Sequence, residues 1–144
     1  MILILQTNID HMAAVWLVSH GKIIGYKSET TIYPKRPTPV LLIDAVLKKA
    51  KKKPSAIQKI IISRGPGRFS AVRSSIIIGN LLATELNIPI AGFVRTTMLQ
   101  DEDVLVLAQK YQDIHSLKPI RPWYGKRPNI TISKKKFRKL QRSH

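Results

Sequence analysis

Cysteine is absent from the 144 residues, so neither a disulfide nor a thiolate metal site is available, and the redox compartment stays unspecified. Acid is scarce, with 8 Asp and Glu against 25 Lys and Arg. The four histidines, at 11, 20, 115 and 144, have no metal-ligand spacing and no carboxylate cluster near them, so no cofactor or protein-built metal site is expected. The one close acid pair that is polar enough to notice, Asp101 and Asp103, sits in a solvated stretch, and no Ser-His-Asp arrangement stands out. Acid–base catalysis is therefore not expected, and no catalytic residue is assigned. Long apolar runs are missing too. Met1 to Leu5 is interrupted by Gln6, Asn8, Asp10 and His11, short of a membrane span and unlike a signal peptide, which makes a cytoplasmic protein with no membrane contact the expectation.

What remains is 44% apolar residues in a chain the length of one ordinary domain. Ile60-Ile61-Ile62-Ser63 is short and β-branched and is closed by Gly65-Pro66-Gly67, after which apolar residues fall at helical spacing. Strand, tight turn and helix is the predicted order. Ahead of it, Ile2–Thr7, Met12–Val18 and Ile23–Thr31 read as an antiparallel meander, and Pro34, Pro37 and Pro39 should carry the chain across the sheet edge to a helix starting near Val40. A buried strand is predicted over Ser55–Ser63, a helix over Phe69–Leu86, a strand parallel to the previous one over Ile90–Val94, a short turn capped by Thr96 and Thr97, and a helix to Tyr111 that Asp101, Glu102 and Asp103 begin.

The fold class expected is α/β: one lobe with a mixed sheet and two main helices over residues 1–95, a short connecting segment over 96–117, and a basic tail over 118–144 in which prolines oppose helix. In the first helix Leu42, Ile43, Val46, Leu47 and Ala50 share one face, and Leu41 and Ala45 lie off it. In the long helix Val72, Ile76, Gly79, Ala83 and Leu86 form a stripe suited to a sheet, while Ile77, Ile78 and Leu81, with Ser70 and Ser74, fall on the other side. A helix apolar all round is normally covered all round, either by a partner or by another part of this chain such as Val104–Tyr111.

The net charge of +17 draws polyanions, and its clusters are the second candidate site. Lys48 and Lys52 lie in one, Lys134, Lys135 and Lys136 in another, and Arg64, Arg68 and Arg73 flank the glycine turn, where backbone N–H groups at a helix mouth can hold a phosphate. A structural turn is the competing reading there. Few aromatics interleave with the charges, so base stacking has little support.

Gly65-Pro66-Gly67-Arg68-Phe69-Ser70-Ala71-Val72-Arg73-Ser74-Ser75, followed by Asn87-Ile88-Pro89-Ile90, resembles the signature of the TsaB (YeaZ) family, which acts in the biosynthesis of threonylcarbamoyladenosine in tRNA. The strand end Leu5-Gln6-Thr7-Asn8 and the stretch Arg121 to Thr131 are similar to family segments as well. The resemblance implies an actin-like, ribonuclease-H-like lobe that pairs with a catalytic TsaD subunit, with TsaE as a further bacterial partner and tRNA as the substrate. The pairing face would be Leu41, Ala45, Ser70, Ser74, Ile77, Ile78 and Leu81, which could also serve a homodimer of the chain alone. Three positions depart from the family pattern. Gln6 replaces an aspartate that faces the nucleotide in related ATPases, Lys35-Arg36-Pro37 replaces a His-Ser-Glu segment, and the second lobe is reduced to about twenty-five residues. A free-standing basic RNA-binding module is the rival expectation.

Overall fold

The computed structural model describes residues 1–30, 39–67 and 69–123. β1 (Ile2–Gln6), β2 (Met12–Ser19) and β3 (Lys22–Thr30) form the expected meander, and β4 (Lys59–Gly65) and β5 (Ile90–Val94) add in parallel on the other side of β1. The sheet order is β3-β2-β1-β4-β5. α1 (Pro39–Lys49) links β3 to β4, α2 (Phe69–Leu86) links β4 to β5, and α3 (Asp101–Lys110) follows β5. The mixed α/β architecture is as predicted; Pro34, Lys35, Arg36, Pro37, Arg68 and the chain from Tyr124 onward lie outside the described residues.

The sheet is buried on both sides, which is why β1, β2 and β4 read as continuous apolar runs rather than alternating ones. On one face Leu3, Leu5, Val15, Leu17, Ile60 and Ile62 pack with Leu42, Ile43, Val46 and Leu47 of α1 and Val72, Ile76 and Ala83 of α2. On the other, Ile4, Trp16, Val18, Ile61 and Phe93 pack with Val104 and Ala108 of α3. The third helix therefore does not cover Ile77, Ile78 and Leu81; it sits across the sheet from them. β3 alone shows alternating burial, as an edge strand with one partner should.

The fourth strand's boundaries differ from the predicted ones for a local reason. The segment before β4 opens as a 3-10 turn, Pro54–Ala56, because Pro54 cannot donate to a ladder and its carbonyl instead accepts from Ile57 N–H; the strand then runs on to Gly65, which pairs with Val94. Thr96 and Thr97 form a bend ahead of α3, where Arg95 Nε donates to the Thr97 carbonyl and hydroxyl oxygens, and Gln100 caps α3 in a capping box with Asp103. Residues 118–123 adopt neither helix nor strand but are tied to the body: Ile120 N–H donates to Asn80 Oδ1, Asn80 Nδ2 donates to the Ile120 carbonyl, and Trp123 N–H donates to the Arg64 carbonyl.

α2 is held to the sheet by a small polar latch as well as by its apolar stripe. Thr7 Oγ1 donates to Ser75 Oγ, Ser75 Oγ bonds back to Ala71 and Val72 carbonyls, and Thr7 N–H donates to Ser63 Oγ, all within the buried joint of β1, β4 and α2. Gly79 lets the helix come close: a Cβ there would lie 2.7 Å from Ile62 Cδ1.

Candidate partner-binding surface

The sheet-facing stripes of α1 and α2 leave a second apolar face exposed. Leu41 is 61% exposed, Ile77 52% and Leu81 61%, high values for large apolar side chains on adjacent helices. Between the helices lies a groove of about 360 Å³, floored by Ile43, Leu47, Ile57, Ile78 and Leu82 and edged by Val40, Leu81 and Glu85. Ile78 is half-buried and rests on the core, so it contributes a wall of the groove rather than a projecting side chain. Ala45 is half-buried, and Ser70 and Ser74 are exposed along α2.

Val40, Leu82 and Ile57 are groove residues that the sequence reading did not single out. Leu82 lies four residues after Ile78, the spacing that places them together on a helix. Ile57 comes from outside both helices, and only the tertiary fold puts it there.

The glycine turn at the mouth of α2 is filled by backbone. Gly65 has φ 121°, a region open to glycine, and its peptide bond to Pro66 is cis. A Cβ on Gly65 would lie 2.1 Å from the Trp123 carbonyl oxygen, and one on Gly67 would lie 2.3 Å from that of Asn8. Carbonyl oxygens thus occupy the space against both glycines. Asn8 Nδ2 locks the turn by donating to the carbonyls of Pro66 and Arg95. Arg64 Nε donates to the Arg121 carbonyl, and Arg73 is exposed on α2.

Gln6 is fully buried, and its amide clamps the loop before α3. Nε2 donates to the Thr97 carbonyl at 2.9 Å, and Oε1 accepts from Leu99 N–H at 2.9 Å. Arg95 also donates to the Thr97 carbonyl, so Leu99 N–H is the group with no substitute. Gln6→Leu is expected to cost about 2 kcal/mol through that orphaned donor, read as a lower urea midpoint with an unchanged slope. A shift equivalent to less than about 0.5 kcal/mol would mean the loop finds another partner.

The basic residues divide into two groups. Arg95 forms an ion pair with Asp103 at 2.9 Å, and Arg64 is bonded as above, so these two guanidinium groups serve the fold. At the other end Lys52 is exposed, and Lys48 meets Asp44 at 2.9 Å in a surface pair worth no more than about 0.5 kcal/mol. Burial, with the nearby Lys52 charge adding to it, holds the Met1 amino group below its usual pKa. Among the described residues no group of three or more His, Asp or Glu could hold a metal ion, and no helix is long and apolar enough to cross a membrane.

Residues 39–101 match the model of the TsaD family, tRNA N6-adenosine threonylcarbamoyltransferase. Among solved structures, YeaZ from Pseudomonas aeruginosa superposes with a TM-score of 0.57 at 27% identity, over 65% of this chain and 42% of that one. An uncharacterized protein with similarity to peptidase YeaZ, from Pseudomonas aeruginosa, gives 0.54 at 27% identity over 78% and 48%. A search of curated protein sequences returns no match. The chain spans less than half the length of these two solved structures. In fold and in sequence it is similar to the YeaZ (TsaB) proteins, as the motif around Gly65-Pro66-Gly67 implies.

Proposed function

We propose that the chain is a non-catalytic accessory subunit of the machinery that makes threonylcarbamoyladenosine in tRNA, docking on a TsaD-like partner through the α1–α2 face. The observation that carries this reading is the wet apolar face itself: Leu41, Ile77 and Leu81 stand out of two adjacent helices around a groove whose lining is almost wholly apolar. Covering each of these side chains is worth roughly 1.5–3 kcal/mol, and the groove offers a place for a partner's own apolar anchor. The similarity to YeaZ and the TsaD-family match support this choice of pathway and class of partner. Catalytic groups would come from that partner, and TsaE would be a further member of the assembly.

Mixing the chain with a TsaD-like subunit should give a heterodimer on size exclusion. Ile77→Asp and Leu81→Asp should each weaken it by at least about 100-fold, because a carboxylate would have to be buried without a partner. Both side chains are more than half exposed in the chain alone, so its own stability should move by less than about 0.5 kcal/mol. Co-elution untouched by both changes would sink the interface. The same face would mediate any homodimer of the isolated chain, and that homodimer should exchange into the heterodimer. ATP turnover by the isolated chain would overturn the non-catalytic part of the reading.

A further inference from the structure

The lysines gather at the end of the sheet opposite the glycine turn, and separate segments deliver them. α1 ends in Lys48 and Lys49, and Lys51, Lys52 and Lys53 follow at once, all exposed. This turn is fixed: Ala50, Lys51 and Lys52 N–H groups donate to the carbonyls of Val46, Lys48 and Leu47, with Lys51 at φ 57°. The β2–β3 turn contributes exposed Lys22 beside exposed His20. Lys49 and Ala50 line one shallow depression with Ile23 and Ile24 of β3, which places the helix end against that hairpin. Lys52 lies near the Met1 amino group at the start of β1. Helix end, following turn and hairpin therefore share one pole.

A solvated helix end explains part of this, since lysine in a last turn complements the helix dipole. It accounts for Lys48 and Lys49. It does not account for Lys51, Lys52 and Lys53, which lie past the helix, or for Lys22 on another element. The acids toward this end are Asp44, which pairs with Lys48, and the exposed Glu85 and Asp113, so a large positive excess remains. Lys59 adds nothing to the surface charge contacts, because its ammonium donates to the carbonyls of Tyr111 and Gln112.

We infer that this pole is a docking surface for the phosphate backbone of a nucleic acid. Lysine ammonium groups act as point charges on phosphates and read no bases. Tyr26, on β3 and lining the same depression, packs on Trp16 with ring centroids 5.4 Å apart and stays about half exposed, so a single ring rather than a series of stacking platforms stands here. A bilayer would need a broad apolar face beside the charges; Ile24 and Tyr26 make a narrow patch at this hairpin, whereas Val40, Leu41, Ile77 and Leu81 gather on the α1–α2 face. The inference goes beyond the partner reading and stands on the charge and placement of this pole alone. It leaves the α1–α2 face free for a protein.

The test uses the whole chain without a partner, with labelled RNA and DNA stem-loops of one sequence, by anisotropy from 50 to 200 mM KCl. Log affinity should fall linearly with log salt with a slope of about −4, as expected for five lysines on phosphates. Lys49→Glu/Lys52→Glu/Lys53→Glu should weaken binding about 100-fold at low salt and flatten the slope by about 3. The same number of reversals at Lys134, Lys135 and Lys136 should leave the slope within about 1 unit of the parent. Preference between the two stem-loops would identify which backbone is taken. Equal losses from both triple variants would reduce the effect to net charge and overturn the placement, as would a body variant that binds like the parent. Binding to phosphatidylserine vesicles but to neither stem-loop would overturn the inference. Leu81→Asp should bind the stem-loops like the parent, so failure here and failure of the partner reading are separately visible.

Discussion

Trp16→Ala is expected to remove about 3–5 kcal/mol of stability and to lower the melting temperature by on the order of 10 °C. Trp16 is 1% exposed at the centre of β2, beside Ile4 on β1 and Tyr26 on β3, and it forms part of the layer on which α3 rests with Val104 and Ala108. Truncation there would open a cavity beneath a short helix whose outer side chains are mostly wet. The loss should therefore be uneven. Hydrogen exchange should show α3 amides losing protection ahead of β1 and β4, which are also held by the α1–α2 side. A uniform loss, or one under about 1 kcal/mol, would mean that α3 docks independently of this indole.

Gly67→Ala should be nearly as damaging, about 3 kcal/mol, for a reason unrelated to backbone conformation. The residue is not among those with positive φ; what it lacks is room. Its Cβ would stand 2.3 Å from the Asn8 carbonyl oxygen and 2.9 Å from the Asn8 carbonyl carbon and Cα, so backbone rather than a rotatable side chain must yield. Asn8 cannot shift without loosening its bonds to the Pro66 and Arg95 carbonyls. Gly21 provides the opposite case. A Cβ there meets nothing within 4 Å, but φ is 73°, so Gly21→Ala should cost only about 1 kcal/mol of left-handed strain. Equal melting shifts for the two variants would remove the steric account of Gly67.

The exposed apolar face of α1 and α2 and the lysine pole occupy separate parts of the surface, as the proposed accessory role needs. α1 contributes to both: Leu41 in its first turn stands on the exposed apolar face, and Lys48 and Lys49 in its last turn open the lysine pole. α2 leaves the sheet at Gly67 and presents Ile77 and Leu81 well past its start. A change at the turn that re-aims α2 should thus disturb protein docking more than polyanion binding, a ratio that the two binding assays can measure on Gly67→Ala if it folds.

Much of the fold was legible in the chain. Ile60 to Ile62, closed by two glycines around a proline, announces strand and turn, and the Val72, Ile76, Gly79, Ala83 stripe announces the helix face that meets the sheet. The exposure of Ile77 and Leu81 was also implied, because one helix face cannot pack on a sheet with residues that lie behind it. The α3 placement was not legible. Its sequence has an apolar stripe but no local feature that says which side of a two-sided sheet it covers, and that side was decided by Trp16, Ile61 and Phe93 competing for cover.

The same division holds for the glycine turn and the charges. Sequence by itself determined that Gly65-Pro66-Gly67 is a fixed turn and that the chain is strongly cationic, since both follow from residue type. Only the tertiary structure decided what the turn encloses and where the cations stand. The carbonyls of Asn8 and Trp123 reach Gly67 and Gly65 from 59 and 58 positions away in the chain, and Arg64 and Arg95 are spent on the fold, while the lysines after α1 are left exposed beside a hairpin some thirty residues earlier. Such contacts depend on chain segments far apart in sequence, and no local pattern of residues carries them.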